Sequence, residues 1–371
     1  MAITTHVCPG GVDLPKVTIV VSTYNRPHLL RWTIESILQQ SYQDWLLLIV
    51  GDDCSAETAE MIADFKDDRI FFVNLEERCG EQSGPNTAGM YAAFTDYVAF
   101  ANHDDIWLPD HLEKAITVLE AGGTDFYCSS AAITTFEPET PGRPGGYCVV
   151  SASPKHRKIE QAFYNSAVFF EPVSCWVIRR SLFRKVGAWR PASRLYRTPL
   201  EDWILRAWRA DVSCHFSDDV TVIYCNGEKS KEKRSAQVGS MYDMDAAESE
   251  FWMALLKENG LEMVRARLLA EAADPPWQTT LFAPPMSGNP HQWVFDALVT
   301  PDTARVFKET GWDGYTKASK IAERKPGRRL EAILNRRTGE KLPQTTKDWR
   351  QAAFFVAAQL AENRRWQGLK A

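Results

Sequence analysis

Residues 17–38 read VTIVVSTYNRPHLLRWTIESIL, and this stretch decides the fold. The run VTIVVS is β-branched and apolar with almost no polar alternation, so it reads as a strand buried on both faces. The polar group Ser22-Thr23-Tyr24-Asn25-Arg26 ends it, and a helix follows with Leu30, Ile34, Ile37 and Leu38 on one face. Strands covered on both faces belong to sheets with helices on either side, which are mainly parallel.

The same unit recurs downstream. LLLIV (46–50) precedes a helix carrying Ala59, Ile62 and Phe65. IFFVNL (70–75), a helix near 86–94, YVAFA (97–101), a helix from Pro109 and DFYCSS (125–130) continue the alternation. A doubly wound, mainly parallel α/β sheet is expected. Residues 134–160, rich in Pro, Gly and Ser, read as a surface excursion. The sheet resumes with SCWVI (174–178), a helix from Thr198 and a closing strand TVIY (221–224).

NGEKSKEKRS (226–235) has no apolar face and reads as mobile. The expected organisation is therefore a first domain over 1–228, a mobile charged loop over 229–243 and a helical region over 244–371 serving acceptor, membrane or oligomer contacts. In that last region Phe251, Leu255 and Leu256, then Met263, Leu268 and Leu269, then Trp349, Ala353, Val356 and Leu360 mark successive helices.

Composition bounds the function. The 371 residues are 44% hydrophobic and 25% charged, with a formal charge of −5, which gives no overall attraction to nucleic acid. The eight cysteines have no paired zinc spacing, and reduced thiols in a cytoplasmic protein are expected. No run approaches the roughly 18 apolar residues of a membrane span, and the N-terminal residues lack a basic-then-apolar leader. Residues 303–371 hold 16 Lys and Arg against 7 Asp and Glu. They read either as a solvated helical face or as a peripheral contact with an anionic membrane, at the inner face.

Ligands of open α/β sheets bind beyond the carboxyl ends of the strands. The polar residues gather there: STYNR after the first strand, Gly51-Asp52-Asp53-Cys54-Ser55 after the second, Asn102-His103-Asp104-Asp105 after the fourth. Singly, each acid has a structural alternative, Asp53 or Ser55 as a helix cap and Asp105 as a cap near Leu108-Pro109. Neither G-x-G-x-x-G nor a P-loop is present, so phosphate must be held by another device. Asp104 with Mg²⁺ or Mn²⁺ is such a device, since carboxylate oxygens bind a hard ion that also bridges diphosphate oxygens. In TPLEDWILRAWRA (198–210), Thr198, Pro199 and Glu201 fit a capping box. Asp202 is left in the first turn as a carboxylate able to take a proton from a hydroxyl. Its structural alternative is an i,i+4 pair with Arg206.

With these motifs in this order, residues 15–226 resemble glycosyltransferase family 2, whose members have the GT-A fold. The resemblance implies a metal-dependent inverting transfer of a sugar from a nucleotide diphosphate, UDP favoured, to a hydroxyl of a glycan or lipid-linked acceptor. It implies that Tyr24 packs on the base, Asp53 accepts the base N–H, Asn86 opens the helix facing the donor and Asp104 ligates the metal. Ser22 and His103 are grouped with the nucleotide-sugar contacts, and Asp202 is the general base. Two positions depart from the family: the first acid of the metal motif is Asn102, and Tyr224-Cys225-Asn226 lacks the late histidine. A degenerate nucleotide or glycan binder and a sugar-phosphate nucleotidyltransferase are the alternatives.

Overall fold

The computed structural model describes residues 15–137, 139, 145–152, 172–191, 199–225 and 245–273. The capping box at Thr198, the charged stretch 226–235, the helices beyond 274 and the basic region 303–371 lie outside the described residues.

The chain alternates as expected through β1 (Val17–Thr23), α1 (Pro27–Leu38), β2 (Trp45–Gly51), α2 (Ala56–Ala63), β3 (Ile70–Asn74), α3 (Ser83–Ala92) and β4 (Tyr97–Asn102). These four strands lie side by side and parallel in the order β3-β2-β1-β4. Alternation decides the faces. Leu47 and Ile49 join the main core with Ile34, Ile37 and Ile62 from α1 and α2. Leu46, Leu48 and Val50 point the other way and pack with Ala88 of α3. Gly89 of α3 lies so close to β1 that a Cβ there would collide with Val20.

Next come β5 (Asp105–Trp107), α4 (His111–Glu120), β6 (Phe126–Glu137), β7 (Gly146–Ala152), β8 (Trp176–Arg179), α5 (Leu182–Val186), α6 (Pro199–Arg209), β9 (Cys214–Cys225) and α7 (Ala247–Ala273). The described sheet is completed in the order β4-β8-β6-β9-β5, with β7 paired to β6. β6 and β9 are parallel, whereas β8 runs antiparallel between β4 and β6.

Three expectations are corrected locally. Residues 134–160 are not all excursion: β6 continues to Glu137 and pairs antiparallel with β7, Thr134 opposite Val149 and Phe136 opposite Tyr147. The Pro and Gly residues between them hid the pairing of the two strands. Ser174 and Cys175 form a 3₁₀ turn before β8, and α4 starts at His111 after an Asp110 N-cap position. α7 shares a core with the sheet: Trp252, Met253, Leu256, Val264 and Leu268 pack with Ile106, Leu108, Val149, Val220 and Ile223.

Candidate active site

In the strand order β3-β2-β1-β4, successive strands leave β1 in opposite directions, so the topological switch lies between β1 and β4. In open α/β sheets ligands bind in a crevice at such a switch, beyond the carboxyl ends of the strands. The register places Ser22 beside Asn102, which brings STYNR and NHDD together.

Arg26 joins them. Its Nη1 donates to Asp104 Oδ2 at 3.0 Å and lies 3.1 Å from His103 Nε2. A guanidinium only donates, so Nε2 accepts and the His103 proton sits on Nδ1, 3.1 Å from the Thr23 hydroxyl oxygen. Burial holds the His103 pKa down to about 4, with Asp104 opposing and Arg26 reinforcing that shift. Both ring nitrogens are thus spent on the protein, and His103 buttresses the crevice rather than presenting a nitrogen to a ligand. Asp104 remains at the surface of the crevice, 13% exposed.

Asp105 does not cap a helix. It is fully buried in β5, where its Oδ2 accepts from the Asn102 side-chain amide at 2.9 Å and from the Ser174 hydroxyl. Burial first, and the neighbouring Asp104 charge second, raise its pKa well above the carboxylate range. Ser174 also accepts the Asn102 backbone N–H at 2.9 Å, so this serine braces the whole turn. The sequence pattern gave neither Ser174 nor Arg26 a role, because their partners lie 69 to 78 residues away.

The two aspartates after β2 divide their work. Asp52 is buried and its carboxylate accepts the amides of Cys79 at 2.6 Å and Gly80 at 2.8 Å. Asp53 is exposed in a left-handed conformation (φ 61°), and neither it nor Ser55 makes a side-chain cap bond to α2. Instead the Ser55 amide donates to Asn25 Oδ1 at 2.7 Å, tying the first two strand ends together. In the loop fastened by Asp52, the Arg78 guanidinium lies over the Tyr24 ring, 3.9 Å from its centroid.

Ser22 is buried at the end of β1. Asn86 stands in the first turn of α3, buried, and its side-chain amide nitrogen has no hydrogen-bond partner among the described residues. Asp202 is fourth in α6, and its side chain lies outside the described residues. Arg206 donates to the carbonyls of Val186 and Ala188, and Trp203 to that of Gly187, so α6 is fixed to the turn after α5. The described geometry therefore unites Ser22, Tyr24, Asp53, His103 and Asp104, with Arg26, Asp52 and Arg78 added. No group of three or more His, Cys, Asp or Glu side chains among the described residues forms a ready metal cage.

Comparison with known proteins agrees with this geometry. Residues 18–187 match the profile of glycosyl transferase family 2. A beta-1,3-glucosyltransferase of Escherichia coli, WfgD, which uses UDP-Glc and alpha-D-GlcNAc-diphosphoundecaprenol, is 34% identical over 110 residues, covering 30% of this chain and 43% of its own. The succinoglycan biosynthesis protein ExoW of Rhizobium meliloti is 28% identical over 188 residues, 47% of this chain and 58% of its own. This chain thus spans about half the length of these relatives. Among solved structures, TarS 1-349 of S. aureus in complex with UDP-GlcNAc aligns over 91% of this chain and 92% of its own at 15% identity, with a TM-score of 0.49. The matched segment, residues 18–187, carries the strands from β1 to β8 and their polar ends.

Proposed function

We propose that this protein transfers a sugar from a nucleotide diphosphate, UDP favoured, to a hydroxyl of a glycan or lipid-linked acceptor, with inversion. The observation that carries the reading is the meeting of STYNR and NHDD at the switch between β1 and β4, within the segment that matches the glycosyl transferase family 2 profile. The donor preference rests on the UDP-Glc named for WfgD, and the acceptor class on its diphosphoundecaprenol-linked substrate.

The Tyr24 ring is the platform for the base, and Arg78, which covers it, must move aside or close over the base. Asp53, exposed beside it, accepts the base N–H. The unsatisfied amide of Asn86 is a buried donor suited to an oxygen of the donor substrate. Asp104 fits a Mg²⁺ or Mn²⁺ ion that is also held by the diphosphate, since such ions take one or two carboxylates together with phosphate oxygens and water. When bound, the ion would neutralise charge developing on the departing diphosphate. Asp202 takes the proton of the acceptor hydroxyl, which attacks from the face opposite the leaving group, so configuration inverts.

The test is turnover. Purified protein is offered UDP-, GDP-, CDP- and ADP-sugars with a lipid-linked or oligosaccharide acceptor, and nucleotide release and product anomer are followed by NMR. An inverted product from a UDP-sugar supports the reading, and a retained anomer overturns the mechanism. UDP binding without turnover on any acceptor would favour a binding-only protein.

A further inference from the structure

A cleft of about 380 Å³ opens between α4 and the amino-terminal halves of β6 and β9. It is lined by Asp110 at the N-cap position of α4, Glu113 and Lys114 of that helix, Tyr127 of β6, and His215 and Asp219 of β9. Nothing assigned above uses it. Ser217, also in the lining, lies seven residues before Tyr224, which pairs with Asp105, so at strand rise the cleft stands roughly 20 Å from the turn carrying Asp104. Along one rim, Lys114 Nζ is 3.0 Å from Asp219 Oδ1 and 3.8 Å from Asp110 Oδ2, and Arg265 of α7 donates to Asp110 Oδ1 at 2.5 Å. The rim is a row of alternating charges. Tyr127 differs, being 1% exposed with a buried hydroxyl that has no hydrogen-bond partner among the described residues. Burial pushes its pKa up, and the nearby Ser217 hydroxyl, itself engaged with Asp219 at 3.2 Å, only partly offsets that. The Tyr127 ring stacks parallel to His215, with 7° between the planes and 5.8 Å between centroids, and His215 is exposed.

This lining selects a class of ligand. An anion would face Asp110, Glu113 and Asp219, with the Lys114 ammonium already set between two of them. A metal ion would meet that same ammonium where it would have to sit. An apolar molecule would strip water from the charged rim and return no hydrogen bonds. A neutral polyhydroxylated ring suits every group: its hydroxyls donate to the carboxylates and accept from Lys114 and Tyr127, and its C–H face can lie on the exposed His215 ring. Pairing the buried Tyr127 hydroxyl also removes the cost of leaving it unsatisfied. The volume falls within the range of small-molecule sites, about 300–1,000 Å³. We propose that this cleft is a second, non-catalytic glycan-binding site, which takes a neutral sugar unit of an oligosaccharide away from the donor crevice. Such a site holds a glycan chain on the protein independently of the nucleotide, and it stands whether or not the transfer reading holds.

The experiment is calorimetric titration of the full chain, without nucleotide, with cellotetraose, laminaritetraose, maltotetraose and chitotetraose. At least one is expected to bind wild type. Tyr127→Phe removes only the unpartnered oxygen and should weaken that glycan roughly fivefold, the worth of about one neutral hydrogen bond. His215→Ala, at an exposed position, should weaken it by a similar factor without lowering the melting temperature. Asp104→Asn, changed in the donor crevice, should bind the glycan as wild type does. The proposal is overturned if none of the tetrasaccharides binds wild type, or if both cleft variants bind as tightly as wild type. It is overturned equally if Asp104→Asn abolishes the binding, which would place the glycan in the donor crevice. Should Tyr127→Phe lose stability along with affinity, His215→Ala decides alone.

Discussion

Asp52 Oδ2 accepts the amide of Gly80 at 2.8 Å, and its other oxygen accepts that of Cys79 at 2.6 Å. One buried carboxylate after β2 thus fastens the loop that carries Arg78 onto Tyr24. Asp52→Asn keeps the shape but offers one acceptor to two donors, and hydrogen bonds to a charged group contribute about 1.5–3 kcal/mol. The expected result is a lower melting temperature and UDP affinity weakened roughly tenfold, an equilibrium change of about 1.4 kcal/mol. Unchanged calorimetric binding would show that the loop takes no part in the nucleotide site.

Tyr24 gives a sharper test of the base platform. Stacking of a base on an aromatic ring contributes about 1–3 kcal/mol. Tyr24→Ala should weaken uridine and UDP by similar factors while leaving the fold intact, because the ring is only half-buried. A loss confined to UDP would place the ring near the phosphates instead.

Asp202→Asn separates binding from chemistry. A positioned general base contributes about 10²–10⁴ in rate. The variant should lose roughly that factor in kcat with little change in the thermal shift produced by UDP. A near-normal kcat would move the proton acceptor elsewhere and leave Asp202 as a helix-terminal carboxylate.

The sheet was legible because each strand announced itself locally: VTIVVS, LLLIV and YVAFA are buried on both faces, and the polar ends followed directly. What the pattern could not decide was which of two adjacent acids turns inward. Asp52 and Asp53 are identical in sequence, but the left-handed backbone at Asp53 sends one into a loop-bracing role and the other to solvent. Asp104 and Asp105 divide in the same way, because β5 begins at Asp105 and pairs it with Tyr224, 119 positions away. Arg26 and Ser174 act only through such long-range partners. Composition misled once, at the β6–β7 pairing, where the Pro and Gly residues between the strands outweighed the apolar residues on either side.

His111 offers a pH test of the core. It is fully buried, its Nδ1 pairs with the Thr221 hydroxyl at 2.8 Å, and burial lowers its pKa to about 3. The unfolded chain therefore takes up this proton first as pH falls. The stability is intact above about pH 6.5 and is lost progressively toward pH 3. Between pH 7.5 and 5.0 the loss from this group is about 2 kcal/mol. Asp105, whose pKa is raised, runs the other way, so the wild-type slope alone mixes the two. His111→Asn, which keeps a polar partner for Thr221, isolates the histidine. Urea unfolding should show the variant losing about 2 kcal/mol less than wild type over that interval, and identical slopes would contradict a buried neutral His111.

Trp252 decides whether α7 is an appendage or part of the sheet domain. It is fully buried against a cluster containing Ile106 of the short strand β5, Leu108 just after that strand, and Val220 and Ile223 of β9. Trp252→Ala would empty a large volume from that core, and such truncations cost about 3–5 kcal/mol. Ile106 follows Asp105 directly, so a strand that loses its cover also loosens the turn presenting Asp104. The expected outcome is therefore a double loss, lower stability and weaker metal-dependent UDP binding, in a residue far from any substrate. Trp252→Phe, which refills most of the volume, should restore both together. A variant that is destabilised yet binds UDP and Mn²⁺ normally at low temperature would show that β5 holds its turn without α7, leaving the helix a stabilising addition only.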